Sequence, residues 1–412
     1  MVERVGAQGD GIAQHRGEPV FLPFAAAGDR VRARLGAKRG GGREGRTLER
    51  LVAGPDRVEP PCPHFGVCGG CTLQHLNESA YRSVKLGALH AALARVGIDP
   101  GVVAPLRAAT PGRRRARIGI EMPHDTTLPV RIGFRERFQH RLVDINECRL
   151  LEPALFRVVV ELRRAAAAIL RGGMRADAIL TRTDSGIDLL IEAAERPTLG
   201  ALGALAGFAE ECDLARVVWR ISGDDLPVIE RRPPRVVLSG VAVPFPPGGF
   251  LQASEPAERI LVAEVLRGAG LRRPVLDLFA GLGTFTFPLA AAGSVHAVEG
   301  DERAAAALAR GAAAQPRVSV ERRDLMRDTP PPEWLSRYAA AVFDPPRAGA
   351  ARLADALARA ALETVVAISC NPATFVRDAA RLIAGGYRLE RVIPIDQFVW
   401  TAHLELVAVF RH

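Results

Sequence analysis

Three short polar motifs near the end of the chain combine a thiol with two carboxylates. Asp344 opens an Asp-Pro-Pro-Arg motif directly after an apolar Ala-Val-Phe run, Cys370 lies in a Ser-Cys-Asn-Pro motif after Val-Val-Ala-Ile, and Glu405 ends a His-Leu-Glu motif. Parallel sheets bind ligands at the carboxyl ends of their strands, so we place the three side chains at one edge of a sheet. A cysteine between a strand and a helix is favoured as thiolate. Taken singly, each motif also fits a turn, a small core residue or a surface acid, but together they predict a nucleophile and a base.

A glycine-rich turn upstream of these motifs predicts a cofactor site. The segment Val-Leu-Asp-Leu-Phe-Ala-Gly-Leu-Gly, from Val275 to Gly283, is typical of a strand that runs into a turn and a helix. The third glycine of the dinucleotide fingerprint is absent, and Asp277 precedes the turn. Glu299 ends the next apolar segment, where a carboxylate can accept ribose hydroxyls. The acid before the turn favours the cationic S-adenosylmethionine over NAD, with a purely structural turn as the alternative.

Four cysteines form a candidate metal site. Three of them have the spacing C-x5-C-x2-C, and proline and glycine between them allow a short loop to fold around a metal centre. With one distant cysteine the set is Cys62, Cys68, Cys71 and Cys148. Four thiolates suit a [4Fe–4S] cluster or a structural zinc ion, and the spacing alone favours neither. His64 or His75 could replace a thiolate in the zinc alternative, and the absence of any metal is the third possibility.

The positive charge of the chain is concentrated in its first third. Residues 1–150 contain 24 basic and 15 acidic residues, whereas residues 151–412 contain 31 of each. Arginine accounts for 53 of the 55 basic residues, an excess that the base composition of the genome can explain. Genome composition does not explain the asymmetry, which indicates a polyanionic partner for the N-terminal part. Because arginine binds phosphate bidentately, nucleic acid is the leading candidate.

Composition excludes several classes of protein. Hydrophobic residues make up 48% of the chain and charged residues 25%, which argues against wholesale disorder. No apolar leader follows Met1. The 21 residues between Asp277 and Glu299 carry no Asp, Glu, Lys or Arg and could span a bilayer by length. They read as a loop, a helix and a strand, so we interpret them as buried core and expect a monomeric cytoplasmic protein with no membrane partner.

The order of elements predicts three domains. Residues 1–53 alternate short apolar segments with turns, which indicates a small β-barrel whose strand at 31–35 carries arginines on one face, followed by a mobile basic loop at 38–46. Such a barrel is a common platform for single-stranded RNA, with a solvated surface as the alternative. Residues 54–250 mix strands with helices at 78–96 and 153–171. Residues 251–412 alternate helices and strands, which predicts a doubly wound, mostly parallel α/β sheet. Its strands are expected at 275–279, 294–298, 339–343, 364–369 and 404–409.

These motifs resemble those of the bacterial RNA uracil-C5 methyltransferases, which make 5-methyluridine in ribosomal and transfer RNA. Gly-Asp-Gly-Ile-Ala at 9–13 and Val-Phe-Leu-Pro at 20–23 resemble the TRAM domain, an RNA-binding OB-type barrel. Phe-Leu-Gln-Ala-Ser at 250–254 is similar to the family's Phe-x-Gln-x-Asn motif. Ser-Cys-Asn-Pro at 369–372, with Thr374 and Asp378, resembles its nucleophile motif. The likeness covers nearly the whole chain.

The resemblance implies a fold, two cofactors and a set of site residues. The fold would be a C-terminal Rossmann-like class I methyltransferase domain, an N-terminal OB-type barrel and an α+β central domain. The four cysteines would hold a [4Fe–4S] cluster. Cys370 would be the nucleophile and Glu405 the base. The residues expected to bind S-adenosylmethionine are Gln252, Phe279, Gly281, Gly283, Thr284, Glu299, Asp324 and Asp344.

A thiol and a base suit the chemistry of uracil. Carbon 5 of uracil is too weak a nucleophile to take a methyl group from a sulfonium, but thiolate addition at carbon 6 activates it. A base must then remove the carbon-5 proton so that the thiolate can leave. The barrel and the cysteines resemble the branch that acts on 23S ribosomal RNA, with transfer RNA as the alternative substrate. A non-catalytic RNA-binding or assembly factor on the same scaffold is a third hypothesis, which the intact motifs argue against.

Overall fold

The N-terminal residues form a five-stranded sheet. The computed structural model describes residues 1–137, 139–270 and 274–412. The first strands are β1 Val2–Val5, β2 Asp10–His15, β3 Glu18–Pro23, β4 Arg30–Arg39 and β5 Gly42–Val52, in the order β1-β2-β3-β5-β4. The sequence did not predict β1. The predicted loop at 38–46 is wrong, because β4 and β5 form a hairpin closed by Gly40 and Gly41, both with positive φ. Two glycines make a tight turn possible, so the basic residues stay in the strands.

The cysteine-rich segment leads into a helix that packs on the C-terminal domain. Helix α1 spans Glu78–Arg95 and is capped by the Asn77 side chain, which accepts a hydrogen bond from the amide of Ala80. Its buried face includes Leu89 and Leu93, which belong to the core of the C-terminal sheet. The predicted helix at 78–96 is confirmed. Part of the predicted central domain therefore packs with the C-terminal one.

The central residues form a seven-stranded sheet covered by two helices. Its strands follow β6 Arg107–Ala108 and are β7 Arg115–Glu121, β8 Arg131–Arg135, β9 Leu142–Asp144, β10 Arg175–Thr183, β11 Gly186–Ala193, β12 Leu214–Ile221 and β13 Asp224–Glu230. They run in the order β13-β12-β11-β10-β7-β8-β9. Helices α2 Pro153–Ile169 and α3 Leu199–Glu211 pack their apolar faces on this sheet. The sequence predicted α2 but not α3. A hairpin of β14 Arg235–Leu238 and β15 Val241–Pro244 leads to the next domain.

The C-terminal residues form a doubly wound sheet. Its strands are β16 Val275–Leu278, β17 Val295–Glu299, β18 Val318–Arg322, β19 Ala340–Phe343, β20 Thr364–Ser369, β21 Arg388–Asp396 and β22 Glu405–Arg411. The order is β18-β17-β16-β19-β20-β22-β21, with β6 added at the far edge. The helices are α4 Glu255–Ala269, α5 Thr286–Ala290, α6 Glu302–Ala312, α7 Pro332–Leu335, α8 Ala351–Ala360 and α9 Pro372–Ala384. Strand β22 is antiparallel to β20 and β21, and the strands from β18 to β20 are parallel.

The uncharged stretch between Asp277 and Glu299 lies in the core of this sheet, as predicted. It forms the last residue of β16, the glycine turn, α5 and most of β17, and the side chains of these two strands are largely buried. Parallel strands covered by helices on both faces carry continuous apolar runs, which explains the absence of charge. Within the described ranges, no helix has both the length and the apolar run needed to cross a bilayer.

Candidate active site

A cleft of about 1700 Å³ opens where the C-terminal sheet faces the central sheet. Eight of the predicted catalytic and cofactor-binding residues line it. They are Gln252, Phe279, Gly281, Glu299, Asp324, Asp344, Cys370 and Glu405. Gly283 and Thr284, which the resemblance also implied, do not line the cleft. Residues spread over more than 150 positions of sequence therefore meet at one site, at the edge that the sequence predicted.

The glycine turn after β16 fixes a carboxylate at the cleft. The amide of Gly281 donates to Glu299 Oε2 at 2.7 Å, and the amide of Asp301 donates to Glu299 Oε1 at 2.7 Å. A Cβ on Gly281 would meet no atom within 4 Å, so the space above the turn is free. Phe279 has a φ of 62°, a backbone conformation that is costly for a large side chain and that recurs at functional sites. The turn thus presents an oriented carboxylate beside open space.

Gly283 and Asp277 contribute to the structure of the turn without lining the cleft. Gly283 has a φ of +98°, and a Cβ there would lie 2.5 Å from the Phe287 ring. Asp277 is fully buried and accepts a hydrogen bond from the Thr286 hydroxyl, and burial raises the pKa of Asp277 to about 7. The sequence predicted that this carboxylate would favour a cationic cofactor. The structure instead places it beneath the turn, outside the residues that line the cleft.

The Asp-Pro-Pro-Arg loop is locked to the helix that follows the cysteine. The side chains of Asn371 and Thr374 both donate to the carbonyl oxygen of Arg347 at 3.2 Å. Asp378 accepts the amide of Ala350 at 2.8 Å. Two motifs that lie apart in sequence are therefore held as one unit, which gives Thr374 and Asp378 a structural explanation.

Cys370 is half-buried, and its surroundings disfavour the thiolate. Burial raises the pKa of Cys370 to about 11, and the nearby Glu405 and Asp344 carboxylates act in the same direction. The Arg347 guanidinium opposes them only in part. The sequence predicted a thiol favoured as thiolate, whereas the groups around Cys370 favour the protonated thiol. The position before a helix stabilises negative charge, but burial and two like charges outweigh it.

Glu405 lies at the same edge of the sheet for a reason that the sequence did not reveal. We expected it at the carboxyl end of a strand, but it is the first residue of β22. Because β22 is antiparallel to β20, its first residue meets the carboxyl ends of the parallel strands. Burial and the Asp344 carboxylate raise the pKa of Glu405 well above its usual value. A raised pKa makes the carboxylate a stronger base, which suits removal of a proton.

Two glutamines connect the two carboxylates of the site. Gln252 Nε2 donates to Asp344 Oδ2 at 3.2 Å. Gln397 Nε2 donates to Gln252 Oε1 at 2.9 Å and to Glu405 Oε2 at 3.0 Å. The main chain at Gln252 is in turn held by Arg114, whose Nε donates to the carbonyl oxygen of Gln252 at 3.1 Å. The sequence reasoning predicted Gln252 but missed Gln397 and Arg114.

A buried cluster anchors the segment that carries Gln397. Lys85 Nζ lies 2.7 Å from Asp396 Oδ1 and donates to the carbonyl oxygens of Phe398 and His403 at 2.9 and 2.6 Å. The Tyr81 hydroxyl donates to Asp396 Oδ2 at 2.5 Å. Both Tyr81 and Lys85 belong to α1, so this helix fixes the loop between β21 and β22.

The loop that carries Cys62, Cys68 and Cys71 contacts the segment between β21 and β22. The amides of Thr72 and Leu73, directly after Cys71, donate to the carbonyl oxygen of Trp400 at 2.8 and 3.0 Å. The backbone around the first three cysteines is therefore bonded to the loop that precedes Glu405.

The four predicted metal ligands lie near one another. Burial raises the pKa of Cys68, Cys71 and Cys148, and neighbouring thiols of the set raise it further. For Cys71 the value is about 12, with contributions from all three partners, including Cys62. Among residues 1–137, 139–270 and 274–412, no three His, Cys, Asp or Glu side chains form a group that could hold a single metal ion.

The sequence of the site region matches a known family. A family model described as tRNA (Uracil-5-)-methyltransferase matches residues 334–411, which include Asp344, Cys370 and Glu405. An RNA methyltransferase of Rhizobium meliloti (strain 1021), described as uncharacterized, is 39% identical over 417 residues, covering 99% of this chain and 97% of that protein. The 23S rRNA (uracil(1939)-C(5))-methyltransferase RlmD of Halomonas elongata is 35% identical, covering 100% of this chain and 89% of that protein. The chain belongs to the RNA uracil-C5 methyltransferase family.

A solved structure shares the fold over the whole chain. The Pyrococcus abyssi tRNA (uracil-54, C5)-methyltransferase, solved with S-adenosyl-L-homocysteine, has a TM-score of 0.74 and 23% identity, covering 99% of each chain. The predicted fold class is confirmed: a Rossmann-like methyltransferase domain preceded by an N-terminal β domain and a mixed central sheet.

Proposed function

We propose that the protein methylates carbon 5 of a uridine in 23S ribosomal RNA through a covalent bond between Cys370 and carbon 6 of the base. The observation that carries this proposal is the meeting of Cys370, Asp344 and Glu405 in one cleft beside the Gly281 turn. The relative from Halomonas elongata supports ribosomal RNA as the substrate. Transfer RNA is the second candidate, and the matching family model supports it.

The residues around the turn suit S-adenosylmethionine, which supplies an electrophilic methyl group when bound. Glu299, held by two backbone amides, would accept the ribose hydroxyls. Phe279, Gly281 and Asp324 would surround the nucleoside of the cofactor. Gln252 and Asp344 would contact the end of the cofactor opposite the nucleoside. Gly283 and Thr284 would shape the turn without touching the cofactor.

The reaction would use the thiol and the late carboxylate in turn. The thiolate of Cys370 adds to carbon 6 of uracil, and the resulting enolate attacks the methyl group through carbon 5. Glu405 then takes the carbon-5 proton, the C–H electrons form the 5,6 double bond, and the C6–S bond breaks with sulfur leaving as thiolate. The first step needs the thiol proton to leave, which the raised pKa of Cys370 opposes. A cationic sulfonium in the cleft would offset the two carboxylates.

The cleft and its mouth suit an RNA strand. Arginines of the central sheet and of the loops and helix around the cleft line it, namely Arg113, Arg115, Arg117, Arg135, Arg175, Arg220, Arg303 and Arg347. The Arg115 guanidinium lines the cleft and donates to the carbonyl oxygen of Gly248 at 3.4 Å. Phe250 is 64% exposed at the same cleft, and an exposed aromatic ring offers a surface on which a base can stack. A target base must leave its stack to reach such a pocket.

We make two further proposals, one for the domains of the chain and one for the four cysteines. Residues 1–53 would form a TRAM-like RNA-binding domain, residues 54–250 the central domain and residues 251–412 the methyltransferase domain, with α1 and β6 packed on the last. The four cysteines would hold a [4Fe–4S] cluster. A four-iron cluster distributes its ligands over four iron atoms, so its thiolates need not converge on one point. Only thiols make up the donor set, which suits iron–sulfur as well as zinc.

Metal analysis separates these alternatives. We expect anaerobically purified protein to be brown and to contain about four iron atoms per chain, as a [4Fe–4S] cluster requires. Colourless protein with stoichiometric zinc would replace the cluster with a zinc site. Protein without either metal would overturn both.

Mapping 5-methyluridine tests the proposed activity. Ribosomal and transfer RNA from a strain with the gene deleted would be compared with RNA from the parent and from a strain complemented with a Cys370→Ala variant. We expect one site in 23S ribosomal RNA to lose its methyl group in the deletion strain and in the variant. Loss confined to transfer RNA would support the second candidate, and unchanged RNA would support a non-catalytic factor.

A further inference from the structure

Gln397 occupies a central position in the site without a role in the proposed chemistry. It follows the last residue of β21, is 3% exposed and lines the cleft beside Glu405. Both of its donated hydrogen bonds go to groups of the site, at 2.9 Å to Gln252 Oε1 and at 3.0 Å to Glu405 Oε2. Because this buried amide directs both of its donated hydrogen bonds at site residues, we expect it to affect the orientation and charge of those residues.

When Asp344 and Glu405 are both ionised, the bonding pattern fixes the orientation of both amides. Asp344 can only accept when ionised, so Gln252 turns its NH₂ group toward that carboxylate and its oxygen toward Gln397. Gln397 must then donate to Gln252, and its NH₂ group also reaches Glu405. A reversed Gln397 amide would place its oxygen against two acceptors. Its oxygen instead lies buried with no partner within the described residues, a cost that the two donated bonds offset.

The donated bond favours one protonation state of Glu405. Three groups face this carboxyl: Asp344 at the end of β19, Cys370 after β20 and Gln397 after β21. Asp344 carries like charge and favours the protonated acid, and so does burial. Gln397 is the group that stabilises the carboxylate. Arg347, the nearby cation, acts on Cys370.

We propose that Gln397 is a positioning residue that keeps Glu405 ionised and aimed at the carbon-5 proton during release of the methylated base. The inference rests on the proposed function, because it assigns a partner to the proposed base. In that step the carbon-5 proton passes to Glu405 Oε, the C–H electrons form the 5,6 double bond, and Cys370 leaves as thiolate. Gln397 itself neither gains nor loses a proton.

Gln397→Met tests the proposal, since methionine keeps the length of the side chain but cannot donate. Full-length protein would be assayed on RNA carrying tritium at carbon 5 of uridine, so that tritium release reports proton removal. Single-turnover methyl transfer and the RNA adduct that survives denaturant would be measured in parallel. Gln315→Met is the matched control, because Gln315 is half-buried after α6 and outside the cleft.

We expect tritium release at pH 7 to fall roughly 10- to 100-fold in Gln397→Met, as for a lost hydrogen bond to a charged group. Methyl transfer in a single turnover should change far less, so the adduct should accumulate at pH 7. Raising the pH should restore release, because the carboxylate is then populated without help. The Gln315→Met control should follow the wild type.

Parallel loss of methyl transfer and tritium release at every pH would overturn the proposal in favour of a merely structural role. A pH profile that superimposes on the wild-type profile would overturn it as well. If Gln397→Met does not fold, Gln397→Glu keeps the size of the side chain and should shift the release profile to higher pH. Wild-type protein that neither methylates nor releases tritium would refute the proposed function itself, and the inference with it.

Discussion

Lys85 Nζ lies 2.7 Å from Asp396 Oδ1 in the interior of the protein, where the lysine side chain has no exposed surface. The pair joins α1 to the last residue of β21, and Gln397 follows directly. A buried ion pair contributes little net stability but is costly to break, because one charge is then left without a partner. The pair therefore fixes the segment between β21 and β22 that precedes the proposed base.

Lys85→Met should lower the free energy of unfolding by roughly 3–5 kcal/mol, the cost of an uncompensated buried charge. Denaturant-induced unfolding followed by circular dichroism measures it. The chain supplies a matched control in Lys38→Met, since Lys38 is 74% exposed and 3.7 Å from Glu18. An exposed pair of this kind should change stability by less than about 1 kcal/mol. Equal effects of the two substitutions would contradict the interpretation of Lys85.

Cys370→Ala should abolish methyl transfer and leave cofactor binding intact. The thiol forms the proposed covalent bond, whereas the Gly281–Glu299 contact that presents the ribose site does not involve it. Transfer of labelled methyl groups to RNA measures activity, and calorimetry with S-adenosylmethionine measures binding. Appreciable turnover by this variant would refute the covalent mechanism.

Glu405→Gln should trap the RNA on the protein. The amide cannot accept the carbon-5 proton, so the adduct on Cys370 forms and is not resolved. A protein–RNA band that survives denaturing electrophoresis is the expected result, and Cys370→Ala in the same background should remove it. Absence of the band, with Cys370 intact, would assign the base to another residue.

Turnover should rise with pH between about 6.5 and 9. Burial and like charges raise the pKa of both Cys370, to about 11, and Glu405, and both groups act in their deprotonated forms. Each raised pKa shifts the rising limb of the profile to higher pH, with a slope of at most about tenfold per pH unit for each group. Steady-state methylation at saturating RNA and cofactor measures this profile. A flat or falling profile over this range would be inconsistent with these assignments.

The salt dependence of RNA binding should identify the arginines that contact phosphate. Arg115→Ala should weaken binding and reduce the slope of log K against log salt by about 1, as for one lost phosphate contact. Arg359→Ala removes the same charge from an exposed position on α8, outside the cleft. We expect that control to leave the slope unchanged. Equal slopes for both variants would place the RNA elsewhere.

The predictable part of the fold is the part with continuous apolar runs. Strands β17, β19 and β20 are buried on both faces, so their sequences alone predict them. Strand β18 alternates valine with polar residues at the sheet edge, and β21 contains Pro394, a residue that argues against a strand. Both were missed for these reasons.

The residue types of the site could be predicted, but their environment could not. The motifs around Cys370 and Asp344 predicted which side chains meet. The pKa of Cys370 depends on burial and on carboxylates brought in by distant segments, which no local pattern contains. Gln397 was not predicted because it directly follows β21, a strand that was not predicted either. Its position beside Glu405 depends on the pairing of β21 with β22.

The bonds from Thr72 and Leu73 to the carbonyl of Trp400 make two distant stretches of sequence interdependent. Residues 54–76 and 396–403 share one backbone junction, so a change in the main-chain path of either segment alters the bonds to the other. A chimaera that takes the loop with the first three cysteines from a relative keeps these bonds only where the grafted main chain follows the same path.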